Sequence, residues 1–280
     1  MKKKFNPKLI IVYIILAIGG IIMVFPYFWM VRSAFLTAAE VNTTPPTWIP
    51  SSFNLDNFRF AFDTAPFGRY FWNSLIVTSV NTGATLITTI LAAFAFSRLK
   101  FFGRDVLFAA FLALMMIPFE MLVVRNFITM ADFPIFGWNF IDTIPGLIIP
   151  FMTSIFYTFI LRNFFLSIPD SLYYSARIDG CSNWKYLWKI MVPIAKPAIV
   201  TITLLNAIMS WNSFFWPLLV VNSTHNRTLP IGLFAFMTEG GIHYERLMAA
   251  ATIVVIPMII LFLIARKHIV SGVARGGIKG

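Results

Sequence analysis

The chain has 280 residues, 59% of them hydrophobic and 12% charged, with a mean hydropathy of +0.80. A soluble domain carries about 25% charge, so this composition excludes an ordinary soluble enzyme and a disordered chain and leaves an integral membrane protein. The net charge of +11 fits basic loops held on one side of a bilayer better than nucleic acid, and the single cysteine, Cys181, excludes an internal disulfide and any multi-cysteine metal site.

A helix crosses a bilayer in about 20 apolar residues. The N-terminal segment 1–8 carries Lys2, Lys3, Lys4 and Lys8, and the charge-free run behind it predicts a first span over 9–31. That run is too long for a signal-peptide core and no A-x-A site follows it, so it reads as a retained anchor. A segment over 32–69 leads to a second span, 70–97, and a short loop, 98–105. The third span, 106–124, holds one charge, Glu120, beside Pro118 and is read as polar at its outer end. A loop over 125–142, a fourth span over 143–161, a long loop over 162–196 and a fifth span over 197–221 follow. The loop 222–246, a sixth span over 247–265 and a tail over 266–280 complete the chain. The expected fold is an all-α membrane protein with six transmembrane helices. The spans are too continuous, and too poor in alternation, for a membrane β-barrel.

Charge sets the orientation. Sixteen basic residues fall on the side of the two termini and six on the other, with net charges of +13 and −2. Both termini are therefore expected in the cytoplasm. Trp29, Trp72 and Trp138 fall near the outer boundaries, as either an aromatic belt or plain core packing would place them.

No P-loop, H-E-x-x-H, G-x-S-x-G or C-x-x-C occurs. His225, His243 and His268 fall on two different sides, so they cannot share a metal. The spans hold almost no ionisable groups, whereas ion-coupled transporters bury them near the midplane. Glu120, the one candidate, is read as interfacial. Any energy for transport is expected from a partner.

The loop 162–196 differs from the others. Ser167-Ile168-Pro169-Asp170 predicts a helix start, since proline suits a first turn and an acid suits the dipole there. The helix is expected to run through Leu172, Tyr173, Ala176 and Ile178 and to stop at Asp179-Gly180. Asp179 is expected to accept an Asx-type hydrogen bond. Ser182 or Asn183 is expected to cap a second helix, carrying Trp184, Leu187, Trp188 and Ile190 and ending at Pro193. Periodicity alone fits an amphipathic element lying on lipid equally well.

The residues Tyr174-Ser175-Ala176-Arg177-Ile178-Asp179-Gly180-Cys181, with Pro193 and Pro197 downstream, resemble the EAA loop of ABC-importer permeases, in the MalG-like branch of carbohydrate permeases. Tyr174-Ser175 stands where the family usually has Glu-Ala, and Cys181 where it has a small residue. The resemblance continues along the chain. Thr44-Pro45-Pro46-Thr47-Trp48-Ile49-Pro50 with Asn57-Phe58, Asn73-Ser74-Leu75, Ala93-Phe94-Ala95-Phe96-Ser97-Arg98 and Met115-Met116-Ile117-Pro118-Phe119 match in order. Trp211-Asn212-Ser213-Phe214-Phe215-Trp216-Pro217-Leu218 matches with Ser213 in place of Glu, and the tail Gly276-Gly277-Ile278-Lys279-Gly280 matches too.

The resemblance implies a type I ABC-importer permease fold and a transport subunit that is not itself an enzyme. It implies one homologous second permease, two ATPase subunits and an external solute-binding protein as partners, beside membrane lipid and without nucleic acid. ATP and Mg would sit on the ATPase, and none would bind this chain. The coupling surface would comprise Tyr174 to Cys181 with Trp184, Trp188 and Pro193, and the tail Gly277, Ile278, Lys279 and Gly280 would lie near the ATPase. The implied location is a bacterial or archaeal plasma membrane. The implied cargo is a sugar or oligosaccharide, with another solute as the alternative. A secondary transporter would need an ion site and inverted repeats, neither of which is visible. A membrane-bound enzyme would need a polar catalytic cluster, and none is visible either.

From spacing, Asn206, Ser210 and Ser213 share one helical face of the fifth span, beside Trp211 and Asn212, and Asn81, Thr82 and Thr85 share one on the second. These residues are candidates for a sugar path. Helix–helix hydrogen bonding is the competing role for every one of them.

Overall fold

The computed structural model describes residues 7–134, 137–238 and 241–276. In chain order the helices are α1 (Pro7–Ala34), α2 (Ala38–Val41), α3 (Asp56–Thr64), α4 (Phe67–Arg98), α5 (Arg104–Leu114), α6 (Phe119–Ala131) and α7 (Ile144–Ile148). A 3₁₀ turn, Ile149–Phe151, precedes α8 (Ile155–Leu166) and α9 (Asp170–Ile178). Next come α10 (Asn183–Tyr186), a π-helical turn Leu187–Met191, α11 (Val192–Ile194), α12 (Lys196–Trp211), α13 (Phe215–Val220) and α14 (Leu229–Gly232). Two two-residue strands, β1 (Met237–Thr238) and β2 (Gly241–Ile242), pair antiparallel before α15 (Tyr244–Gly276).

Three helices are long and apolar enough to cross a membrane alone, over Leu9–Ala34, Phe67–Arg98 and Tyr244–Leu263. Three bent pairs bring the number to six if each is one span. The expected continuous helices over 106–124, 143–161 and 197–221 are each interrupted. The first breaks between α5 and α6 with a bend of 99°, at Pro118, which lacks an N–H and keeps Ile117 out of helical geometry. The second bends by 45° after the 3₁₀ turn holding Pro150, where Ser154 begins α8 by accepting a hydrogen bond from the Tyr157 N–H. The third stops at Trp211, and a new helix begins at Phe215. At the C-terminal end α15 runs on to Gly276, past the expected boundary at 265, so Gly276 is helical.

The described residues gather in two compact units, one drawing on residues up to Phe67 and on Gly232–Pro257, the other on Gly68–Ile231 and residues from Met258 on. In the first unit, the end of α1 is tied down by its own following loop. The Asn57 side-chain amide donates to the Ala34 and Leu36 carbonyls at 2.9 and 2.8 Å, taking up acceptors a helix C-terminus leaves free. Thr37 and Glu40 form a capping box on α2, and Glu40 also accepts from the Ser51 N–H at 2.9 Å. Hydrogen bonds from Ser51 and Thr37 hold the Glu40 carboxyl down at about 2.

In the second unit, α4 is the central strut. Its buried face carries Asn73, Ser74, Thr78, Asn81, Thr82, Thr85 and Thr89. Asn73 donates to the His225 and Arg227 carbonyls, and the Ser74 hydroxyl accepts from the Leu229 N–H at 2.8 Å. One apolar core, around Leu161, Phe165, Tyr186, Leu187 and Met191, packs the 162–196 loop against α4 and α8. A second core, around Trp216, Val220, Leu147 and Ile148, surrounds the broken helices. Asp142 ties this end together. Burial pushes its carboxyl up, but hydrogen bonds from Ser223, Asn222 and Asn226 outweigh that and leave it below the usual carboxylate range.

Candidate functional site

Two sites emerge in the second unit. The first is the hairpin made by α9 and the helix behind it. Pro169 precedes α9, and Asp170 opens it. Gly180 ends it with φ +73°, the left-handed region where a Cβ is disfavoured. The Gly180 N–H donates to the Arg177 carbonyl at 3.1 Å and the Cys181 N–H to the Ala176 carbonyl at 2.9 Å. This is a Schellman closure, and the apolar contact that accompanies it is made by Ala176 and Cys181, both buried in the first core. The position of Cys181 therefore asks for a small apolar side chain.

The cap of the second helix is Ser182, whose hydroxyl accepts from the Lys185 N–H at 3.3 Å. Asp179 is exposed and does not make the expected Asx-type bond among the described residues. Nor does the helix end at Pro193. It passes through that residue into Ile194, because a π-helical turn precedes it and Pro193 sits at the start of a new helical segment, where no N–H is needed. Tyr173 joins the two helices, donating to the Asn183 side-chain oxygen at 2.9 Å and packing its ring 5.0 Å from that of Tyr186. Burial pushes the Tyr186 phenol up.

The outward face is apolar at its tip. Ile178 is 86% exposed, Trp184 63% and Tyr174 56%, while Ser175, Arg177, Lys185 and Lys189 are exposed around them. Trp188 is half-buried with its ring 5.7 Å from that of Trp184. The tail residues Gly277 to Gly280 lie outside the described residues.

Arg98, the last residue of α4, fixes the hairpin to the bundle. Its guanidinium, 4% exposed, pairs with Asp170 and donates to the Phe165 and Ile168 carbonyls at 2.7 and 2.6 Å. Sequence reading named Arg98 only as a motif position. Its signal was a charged residue ending an otherwise apolar helix, but the partner 72 residues away is set by the fold.

The second site is a cavity of about 660 Å³. All three helix breaks open onto it: Phe119 and Glu120 behind the first, Thr153 and Ser154 at the second, Ser213 and Phe215 at the third. Irregular backbone at membrane depth is tolerated where it is buried in protein or lines a cavity, since free N–H and C=O groups are costly in lipid. Asn81, Asn206, Ser210, Trp211 and Ser213 line the cavity, as their candidate role requires. Ser213 does not lie on one helical face with Asn206 and Ser210, because α12 has already ended. Thr82 and Thr85 do not line it. Thr82 donates to the Asn206 side-chain oxygen at 3.1 Å, and Thr85 donates to the Asn81 side-chain oxygen and the Phe151 carbonyl, so both join helices. Asn212 is exposed and closes α12 instead.

Three buried polar atoms of lining residues lack a partner among the described residues: the Ser210 hydroxyl, the Trp211 indole N–H and the Thr228 hydroxyl. Trp211 and Thr228 are only 5% and 4% exposed. An unpaired buried donor costs about 1–3 kcal/mol, and each of these atoms is itself covered by protein just behind the cavity wall. Thr228 escaped sequence reading because only chain folding brings it beside α12. Glu120 stands in the first turn of α6 on the cavity wall, not at the outer end of a continuous helix.

Comparison with known proteins accounts for this arrangement. Residues 84–275 match the family model described as binding-protein-dependent transport system inner membrane component. An arabinooligosaccharides transport system permease protein, AraQ of Halalkalibacterium halodurans, is 32% identical over the whole of both chains. AraQ of Bacillus subtilis is 34% identical over 82% of this chain and 81% of that one. In three dimensions the chain is similar to one in the crystal structure of a bacterial ABC transporter involved in the import of the acidic polysaccharide alginate, with a TM-score of 0.81, 23% identity, and coverage of 94% of this chain and 98% of that one. The chain therefore belongs to the family of binding-protein-dependent transport system inner membrane components, the permeases of ABC importers.

Proposed function

We propose that this chain is one of two homologous permeases of an ATP-driven importer that takes a sugar or oligosaccharide from an external solute-binding protein. It works with two ATPase subunits, which hold the ATP and Mg. The observation that carries this reading is the α9–α10 hairpin, whose apolar tip at Ile178 and Trp184 is exposed while its base is locked to α4 through Arg98. A rigidly based, apolar-tipped hairpin is suited to sit in a groove of another protein and to pass its movement into the bundle. ATP binding closes the ATPases, carries the hairpin, and through Arg98 and Asp170 moves the end of α4, whose other residues form the cavity wall. The polar groups of Asn81, Asn206, Ser210, Trp211 and Ser213 then meet the sugar. The names of the relatives support carbohydrate as the cargo. The tail through Gly280 adds a second contact with the ATPase dimer.

Gly180→Val tests the hairpin. A β-branched residue at this φ is strained by about 1–3 kcal/mol, at a site outside the expected spans. The complex should reach the membrane at near-normal levels but retain less ATPase in pull-down, and sugar uptake should fall sharply. Normal ATPase retention with normal uptake would return the hairpin to a lipid-surface role. The orientation rests on the 16-to-6 split of basic residues. Cysteines placed at Lys100 and Lys267 should be labelled only from the cytoplasm, and those at the exposed Ser52 and at Asn226 only from outside. External labelling at position 100 would end the six-span arrangement.

A further inference from the structure

Among the described residues lining the cavity, Glu120 is the one with a carboxylic side chain. Its place in the first turn of α6 suits an acid, because the helix dipole is positive there. No ion pair or hydrogen bond among the described residues holds its carboxylate, so its field is not spent on a neighbour. Among the described residues no basic side chain lines the cavity. Arg227, next in sequence to the lining residue Thr228, is turned to Tyr70. Arg125, further along α6, is likewise outside the lining. The other described lining residues are neutral, among them Asn81, Asn206, Ser213 and the aromatic residues Phe119 and Tyr157.

We propose that Glu120 is a specificity-determining residue, a charge filter that admits neutral or amine-bearing glycans and rejects those carrying a carboxylate. The inference rests on the carbohydrate reading given above. Apolar sugar faces match the rings and a neutral glycan meets no opposing charge, but a uronate meets an anion and, among the described lining residues, no cation. In a site of effective dielectric about 20, two like charges about 4 Å apart repel enough to lower occupancy more than tenfold.

The complete transporter, with both permeases, ATPases and binding protein, is reconstituted in proteoliposomes. Uptake is compared for a trisaccharide ending in a uronic acid and for its methyl ester, which differ in that one charge. The binding protein is the same throughout, so its own preference cancels when the ester-to-acid uptake ratio of wild type is divided by that of Glu120→Gln. The expected quotient is about tenfold or more, and Glu120→Asp, which keeps the charge, should give a ratio near that of wild type. Glu120→Asn serves as a second neutral variant if Glu120→Gln does not assemble. A quotient near one overturns the filter while leaving the carbohydrate reading intact. Failure of the wild-type complex to take up any glycan of a broad neutral panel overturns both.

Discussion

The helices α1 and α4 have similar lengths and opposite characters. The apolar stretch of α1, Leu9–Ala34, has a mean hydropathy of 2.8, and none of its most apolar window is buried. The stretch of α4, Phe67–Arg98, has a mean hydropathy of 1.6, and 39% of its window is buried. In a water-soluble protein the more apolar helix would be the buried one. Here the order is inverted, because the surrounding solvent is itself apolar and offers no partner to a polar group. The polar side chains of α4 gain by turning to one another and to the backbone of neighbouring segments, as Asn73, Ser74, Thr82 and Thr85 do. The side chains of α1 gain nothing by turning inward. In this chain burial follows the need for hydrogen-bond partners.

That contrast can be broken most severely in the tightly packed second unit. At Gly146 a Cβ would collide with the Phe140 carbonyl oxygen, and the Gly146 carbonyl accepts from the Trp216 indole at 3.0 Å. Gly146→Ala must therefore displace backbone, and should lower the stability of the solubilised complex by about 3 kcal/mol, at the upper end of the cost of overpacking. Thermal unfolding followed by tryptophan fluorescence measures it. An unchanged midpoint would mean that this half of the molecule gives way more easily than its geometry implies.

Arg98→Leu comes next. It leaves the Ile168 carbonyl without a donor, takes one donor from the Phe165 carbonyl, which keeps the Ile168 N–H at 3.2 Å, and leaves Asp170 without its cation. A loss of about 2 kcal/mol is expected, the range for hydrogen bonds to charged groups. The sharper readout is coupling: sugar-stimulated ATP hydrolysis should fall by more than the amount of assembled complex does. Equal falls in both would make Arg98 a stability residue only.

The smallest effect is expected on α1. At Gly20 a Cβ would meet nothing within 4 Å. Gly20→Ala should leave membrane level and uptake as they are, and if anything should firm the helix by up to about 1 kcal/mol. A strong loss of uptake would show that this bare surface is an interface with another subunit that requires a glycine.

Much of this was legible in the sequence. Apolar runs of spanning length located the helical segments, because the cost of bringing charge into hydrocarbon restricts where charges can fall. The turn at Asp179-Gly180 was legible because few residues adopt positive φ, and glycine does so freely. The identity of the second cap was legible only as a choice between Ser182 and Asn183, since either side chain can accept the same N–H and local packing decides between them.

Other features belong to tertiary structure. The spans holding Pro118 and Pro150 were expected to be continuous, and nothing in the sequence said that they would break towards one cavity. Thr82 and Asn206 could each have been a cavity residue or a helix–helix bond, and it is the approach of α4 to α12 that made one a bond donor and left the other on the wall. The pairing of Arg98 with Asp170 and the meeting of Trp211 with Thr228 at one wall depend on long-range contact, which local propensity does not encode. The sequence by itself determined which segments are apolar enough to leave water, where the chain must turn, and which loop carries the family's motif, because those follow from side-chain solvation and backbone sterics residue by residue. Only the tertiary structure decided which polar groups satisfy one another and which are left unpaired, because a hydrogen bond is a property of two groups at a distance of about 3 Å and the second group is supplied by the fold.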